Sequence, residues 1–275
     1  MGLSELPKKV KVAPIVYRLA IAGRVTVRYV FSLGCFILLW YVAASYVGKP
    51  NTLPSPGVVG QQAIEVIGSG ELLSHTASTL RRLVVGFAIA CFVGIPFGLL
   101  FGLSKSLEAY TTPLIEALRP ISGIAWIPLA LFVLGIGEEL PHFIIFYGAV
   151  FPIILNTADA ARRTDVNLLN AARTLGASRW LIMKEVVLPA ALPMIFVGLR
   201  LGLGVGWMGV IASELIGAPS GLGYMIEWNR TMLMSSRVLV GVFTIGLLGY
   251  LMSLLLNFVA RKSTPWWGGW SRRDL

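Results

Sequence analysis

Apolar blocks long enough to cross a lipid bilayer recur along this sequence, and they constrain its fold more than any other feature. A helix crossing the hydrocarbon core needs roughly 20 mostly apolar residues. Six blocks approach that length: Tyr29 to Val47, Leu83 to Leu103, Ile121 to Ile136, Phe143 to Ala158, Leu192 to Ile216 and Val238 to Val259. The third and fourth are short, carry Pro128 and Pro152, and are separated by the polar piece Gly137-Glu138-Glu139. Hydrophobic residues make up 56% of the 275 residues and charged residues 13%, against roughly 45–50% and 25% in soluble domains. So few polar side chains cannot cover a soluble globule of this size. In hydrocarbon the backbone must satisfy its own hydrogen bonds, so the expected fold is an all-α polytopic membrane protein with about six transmembrane helices. The first block exceeds the roughly 7–15 apolar residues of a signal peptide, and we expect it to be retained as a span.

The net charge of +10 would suggest nucleic acid in a soluble protein, but here its placement reads as topology. With the N-terminus inside, 17 of the 23 Lys and Arg residues fall in cytoplasmic segments and 3 in outer ones. Arg81 and Arg82 lie at a boundary and Arg200 within a span. Both termini are therefore expected to be cytoplasmic, with the basic surplus facing anionic headgroups and no nucleic-acid partner. The expected organisation is a basic N-terminal segment (1–28), a membrane domain (29–260) and a cytoplasmic tail (261–275). The outer segment between the first two blocks opens with turn-formers from Lys49 to Gly57. It then takes a helical period at Val58, Val59, Ala63, Ile64 and Ile67, as an amphipathic surface helix would. Cys35 and Cys91 sit in apolar runs, and His75 and His142 stand alone, so no metal site is expected.

The largest polar insertion between blocks runs from Asp159 to Pro193. Thr164 or Asp165 can cap a helix through Leu175, Gly176 can turn the chain, and Ser178 can cap a second helix that Pro189 should end. Asn170-Ala171-Ala172, three residues, Gly176, nine residues, Val186, one residue and Leu188-Pro189 resembles the EAA loop (159–190 here) of ABC importer permeases. Asn170 stands where that family has Glu, and Val186 where it has Ile. Leu53-Pro54-Ser55-Pro56, Arg119-Pro120-Ile121, Ala125 to Leu129, Gly135 to Glu138, Gly198 to Trp207 and Gly221 to Tyr224 resemble one subgroup. That subgroup is the permeases for taurine, aliphatic sulfonates, nitrate and bicarbonate.

The resemblance implies a type I importer permease fold in a bacterial inner membrane, working as a dimer, with a homodimer expected. It also implies two separate ATPase subunits and an extracytoplasmic substrate-binding protein. Asn170, Ala171, Ala172, Gly176, Leu188 and Pro189 would couple to the ATPase. No Gly-x-x-x-x-Gly-Lys-[Ser/Thr] pattern occurs in the chain. The chain is thus expected to be no enzyme, with ATP and Mg held by the partner and no cofactor of its own. The first substrate expectation is taurine or an alkanesulfonate, then nitrate or bicarbonate.

Ionisable residues inside a span point to a transport path, because charge in lipid is costly. Arg200, Trp207 and Glu214 recur every seven residues, which leaves them on nearly one helix face. They are the candidate substrate path, with the Arg200 guanidinium suited to oxyanion oxygens. The competing expectations are that Arg200 snorkels or pairs with an acid, and that Glu214 is a structural acid paired with Arg81 or Arg82. Glu138 and Glu139 are expected in an outer loop, either as solvated charges or where a binding protein would dock. Gly198, Gly202, Gly204, Gly206 and Gly209 suit close helix packing or a dimer interface. An ATP-independent secondary transporter or channel is the rival reading, and the EAA-like loop argues against it. An intramembrane enzyme would need a catalytic constellation that the chain lacks.

Overall fold

The structure is a computed structural model that describes residues 14–49 and 52–267, with side chains from residue 30 onward. Lys8, Lys9, Lys11, Arg272 and Arg273, together with Pro50 and Asn51, lie outside the described residues. At Arg18, Arg24 and Arg28 only helical backbone is described. Among the described residues all regular structure is helical.

The chain forms two compact units, Met1–Gln61 and Gln62–Leu275. The first contains α1 (Pro14–Val47) and the opening of α2 (Pro56–Gly68). Pro56 starts α2, where a missing N–H costs nothing. The Trp40 indole donates to the Pro54 carbonyl at 3.1 Å, tying the turn-rich stretch back to α1.

The second unit contains α3 (Glu71–Leu103), α4 (Lys105–Leu118), α5 (Ile127–Leu134), α6 (Glu139–Arg162), α7 (Val166–Thr174), α8 (Arg179–Ile182), α9 (Leu188–Gly217), α10 (Leu222–Thr231) and α11 (Ser235–Ser263). Its core is a three-helix layer with α6 in the middle, packed along its length against α3 on one side and α9 on the other. Ile145, Ala149, Ile153 and Ile154 of α6 are buried in that layer. Glycines let the helices approach. A Cβ on Gly98 of α3 would stand 2.8 Å from the Ile154 carbonyl oxygen, and one on Gly202 of α9 would stand 3.0 Å from that of Ala149. Gly198, Gly202, Gly206 and Gly209 all face α6, whereas Gly204 faces away from it, with nothing within 4 Å. Such small-residue seams suit a membrane helix layer, where lipid tails remove the hydrophobic drive to associate.

Five helical stretches are long and apolar enough to cross a membrane: Val30–Val47, Glu71–Leu103, Glu139–Arg162, Arg179–Gly217 and Ser235–Ser263. The expected third crossing, Ile121 to Ile136, is not a straight rod. It is the second arm of a pair, Lys105–Leu118 and Gly123–Leu134, bent by 78°, which brings the crossings to six if counted as one. Pro120 follows α4 and cannot supply an N–H to continue it. Ser122 then caps a 3₁₀ turn at Gly123–Trp126, and Pro128 opens α5. Pro152, by contrast, lies within continuous α6.

Pro189 does not end the second loop helix as expected. A π-helical stretch, Met183–Val187, joins α8 to α9, and the Leu188 N–H reaches back five residues to the Met183 carbonyl. The wider turn absorbs the missing proline donor, and Arg179–Gly217 runs as one helical stretch into the span.

Candidate functional site

The polar loop between α6 and α9 is shaped by its own side chains. The Asp165 carboxylate accepts from the Asn167 amide at 2.8 Å and starts α7. At the other end Gly176 N donates to the Arg173 carbonyl at 2.9 Å and Ala177 N to that of Ala172 at 3.0 Å. That pair of bonds is a Schellman motif, whose turning residue must be left-handed, and Gly176 has φ +80°. The Ser178 hydroxyl oxygen accepts from Leu181 N at 3.2 Å and caps α8. Asn170, Ala171 and Gly176 are exposed and Ala172 is half-buried. Around them stand large apolar side chains in the open: Val166, Leu168, Leu175 and Trp180, the last 75% exposed. Leu188 and Pro189 are half-buried where the helix turns into α9. This is a bare, preformed two-helix surface.

The structure separates the three candidates on α9. Arg200 and Trp207 line one recess of about 210 Å³ against Gly249, Met252 and Ser253 of α11. Glu214 is buried elsewhere, against α3 and α10. A seven-residue spacing drifts by about 20° per repeat, and the helices packed on α9 change along its length, so shared phase does not make a shared site.

Glu214 belongs to a buried ion network centred on Arg82, which is fully inaccessible. Arg82 Nη1 donates to Glu214 Oε1 at 2.9 Å and to the Ser220 carbonyl. Its Nε and Nη2 donate to the two Glu138 oxygens at 2.9 and 2.6 Å, and Nη2 also to Ser220 Oγ at 2.8 Å. All five guanidinium donors are thereby used. Thr79 Oγ1 lies 3.0 and 2.9 Å from the two Glu214 oxygens and accepts from Leu222 N, and Gly223 N donates to Glu214 Oε2 at 3.0 Å. His75 Nδ1 accepts from Gly221 N at 3.1 Å. Side chains at Gly221 or Gly223 would collide with Glu214, so the Gly221 to Tyr224 turn wraps the carboxylate with bare backbone.

Glu138 is therefore not merely a solvated loop charge. The hydrogen bonds from Arg82, the charge of Arg82 and then Arg81 (3.1 Å) hold its carboxyl down at about 2. Sequence reasoning reached the Glu214 pairing through Arg81 and Arg82 but missed Glu138. His75, Thr79 and Arg82 at helical spacing mark the face of α3 that meets Glu214, but no local pattern marks Glu138.

Among the described residues no group of three His, Cys, Asp or Glu side chains gathers as a metal site.

Residues 94–266 match the family described as the binding-protein-dependent transport system inner membrane component. The taurine transport system permease protein of Escherichia coli is 35% identical over 234 residues, which cover 83% of this chain and 85% of that protein. A nitrate import permease protein of Synechocystis is 30% identical over 250 residues, covering 87% and 90%. Among solved structures, the inward-facing MetNI methionine ABC transporter superposes with a TM-score of 0.60 at 20% identity, over 70% of this chain and 96% of that one. That likeness concerns the fold. The chain belongs to the family of binding-protein-dependent inner-membrane permeases of ABC importers.

Proposed function

We propose that this chain is the permease of an ATP-driven importer for a small oxyanion, taurine or another alkanesulfonate first and nitrate or bicarbonate next. Two copies enclose the path, two separate ATPase chains drive it, and an extracytoplasmic binding protein delivers the substrate. ATP and Mg sit on the ATPase, and this chain holds no cofactor. Both termini face the cytoplasm.

One observation carries the coupling part of this reading. The Asn170-Ala171-Ala172…Gly176 loop has its turn locked by the Schellman bonds and its apolar side chains Val166, Leu168, Leu175 and Trp180 exposed. Small residues at Ala171, Ala172 and Gly176 let another protein's groove approach the backbone closely, and Leu188-Pro189 pass the motion of the loop directly into α9. Because α8, the π stretch and α9 form one run of helix, a push on the loop moves the span that carries Arg200 and Trp207. Nucleotide binding then shifts the population between inward- and outward-open arrangements. Arg200 would present a forked donor to a passing oxyanion beside the Trp207 ring. Glu214 supports the path indirectly by fixing α9 to α3 and α10.

The test is mass spectrometry of the detergent-solubilised complex expressed with its neighbouring genes. Two copies of this chain with two ATPase chains are expected. Purification without an ATPase, from cells that make one, would overturn the coupling reading in favour of an ATP-independent transporter.

A further inference from the structure

We propose that the cavity where the α4–α5 joint meets α6 binds a zwitterion, a small molecule with an oxyanion at one end and an ammonium at the other. The proposal rests on the oxyanion-permease reading and narrows its substrate class. The cavity has a volume of about 530 Å³ and is separate from the recess beside Arg200.

The bend itself builds the cavity. The Tyr147 hydroxyl donates to the Leu118 carbonyl at 2.7 Å, and the Tyr147 ring sits 5.7 Å from Trp126 and edge-on to Phe151 at 5.2 Å. These contacts pin the joint to α6. Arg119 and Ser122 thereby line the same space as Asn156 and Asp159 of α6, with Leu201 and Val205 of α9 as the apolar wall.

Two opposite charges in that lining are available to a ligand. Among the described residues no ion pair and no side-chain hydrogen bond engages the Arg119 guanidinium, which is exposed. The Asp159 carboxylate has Arg162 Nη1 only at 3.7 Å, because Arg162 is held by Glu108 at 2.9 Å and lies over the Phe101 ring at 5.1 Å. The Asn156 amide nitrogen donates one N–H to the Pro152 carbonyl at 2.8 Å, which leaves its second N–H and its oxygen to the cavity, able to serve either end of a ligand. A bare oxyanion would suit Arg119 but meet repulsion from Asp159. A bare amine would suit Asp159 and Asn156 and be repelled by Arg119. A molecule carrying both groups answers both ends, each through a charge-assisted hydrogen bond.

The test is equilibrium dialysis of radiolabelled taurine against the permease–ATPase complex in nanodiscs, without binding protein or nucleotide. Unlabelled taurine, ethanesulfonate (the same oxyanion without the amine) and ethylamine serve as competitors. Ethanesulfonate and ethylamine should each compete about tenfold more weakly than taurine, the discrimination one charge-assisted hydrogen bond provides. Asp159→Asn should erase the advantage of taurine over ethanesulfonate, and Arg119→Gln should abolish binding of both, each variant first being shown to elute as the intact complex. Absence of taurine binding, equal competition by ethanesulfonate in the wild type, or an unchanged ratio in Asp159→Asn would overturn the proposal. Binding-protein-stimulated ATP hydrolysis by the wild-type complex separates the two readings. If stimulation is absent, the importer reading fails; if it is present without zwitterion selectivity, only the cavity assignment fails.

Discussion

Arg82 spends every N–H donor inside the protein, so its removal would leave the Glu214 carboxyl buried without its cation. Breaking one side of a buried pair costs about 3–5 kcal/mol, whereas replacing both partners by apolar residues of similar volume is often close to neutral. Arg82→Ala should therefore lower the melting temperature of the solubilised protein severely. Arg82→Met combined with Glu214→Leu should cost less than Arg82→Ala alone, and a double variant worse than the single would refute this account. Glu138 adds a pH dependence of definite sign. Its folded-state pKa is depressed from 4.5 to about 2, so its contribution is fully present above about pH 4.5 and is lost as the pH falls toward 2. Across that window the melting temperature of the wild type should fall more steeply than that of Glu138→Gln, and equal slopes would show that the bridge contributes nothing. The Arg82–Glu214 pair was within reach of the sequence because Arg82 precedes one apolar block and Glu214 closes another, at block ends expected on the same outer side of the membrane. Glu138 was not, since a loop residue acquires its partner only from how three helix ends meet.

Between helices, the glycine seams that flank α6 decide how closely the layer packs. A Cβ on Gly98 would meet Thr157 Cβ at 2.7 Å as well as the Ile154 carbonyl, so α3 would have to shift. Gly98→Leu should destabilise by about 1–3 kcal/mol or more, the usual range for overpacking. Gly246→Leu on α11, where nothing lies within 4 Å, should leave melting nearly unchanged. Thermal unfolding in detergent compares the two, and equal losses would mean that the seam is not what holds the layer. Prolines behaved differently by context. Pro120 helps to make a real bend and Pro152 leaves α6 unbroken, while Pro189 is absorbed by a π turn that backbone patterning does not announce.

At the scale of the whole molecule, function depends on surfaces that one chain leaves open. The loop around Gly176 leaves Trp180 and Leu175 largely exposed, so changing them tests docking at little cost to the fold. Trp180→Asp should leave the melting temperature near that of the wild type and remove the ATPase from the purified complex. Gly176→Arg should do the same to the complex at a further cost of about 1–2 kcal/mol, because a side chain at φ +80° is strained. An ATPase retained in full by both variants would mean that this loop is not the docking site.

By itself, the sequence determined the membrane class, the approximate crossings, the caps and turn of the polar loop, and the family, because these follow from local properties. Hydrophobic length, capping chemistry and motif spacing are all read within about forty residues of chain. Only the tertiary structure decided that the third crossing is bent, that Glu214 leaves Arg200 and Trp207 to join Arg82 and Glu138, and that Arg119 and Asp159 line one cavity. Each of these depends on which faces of α3, α6 and α9 come together. That choice is set by steric fit between small residues and by the need to pair buried charge, and neither leaves a periodic trace in one dimension.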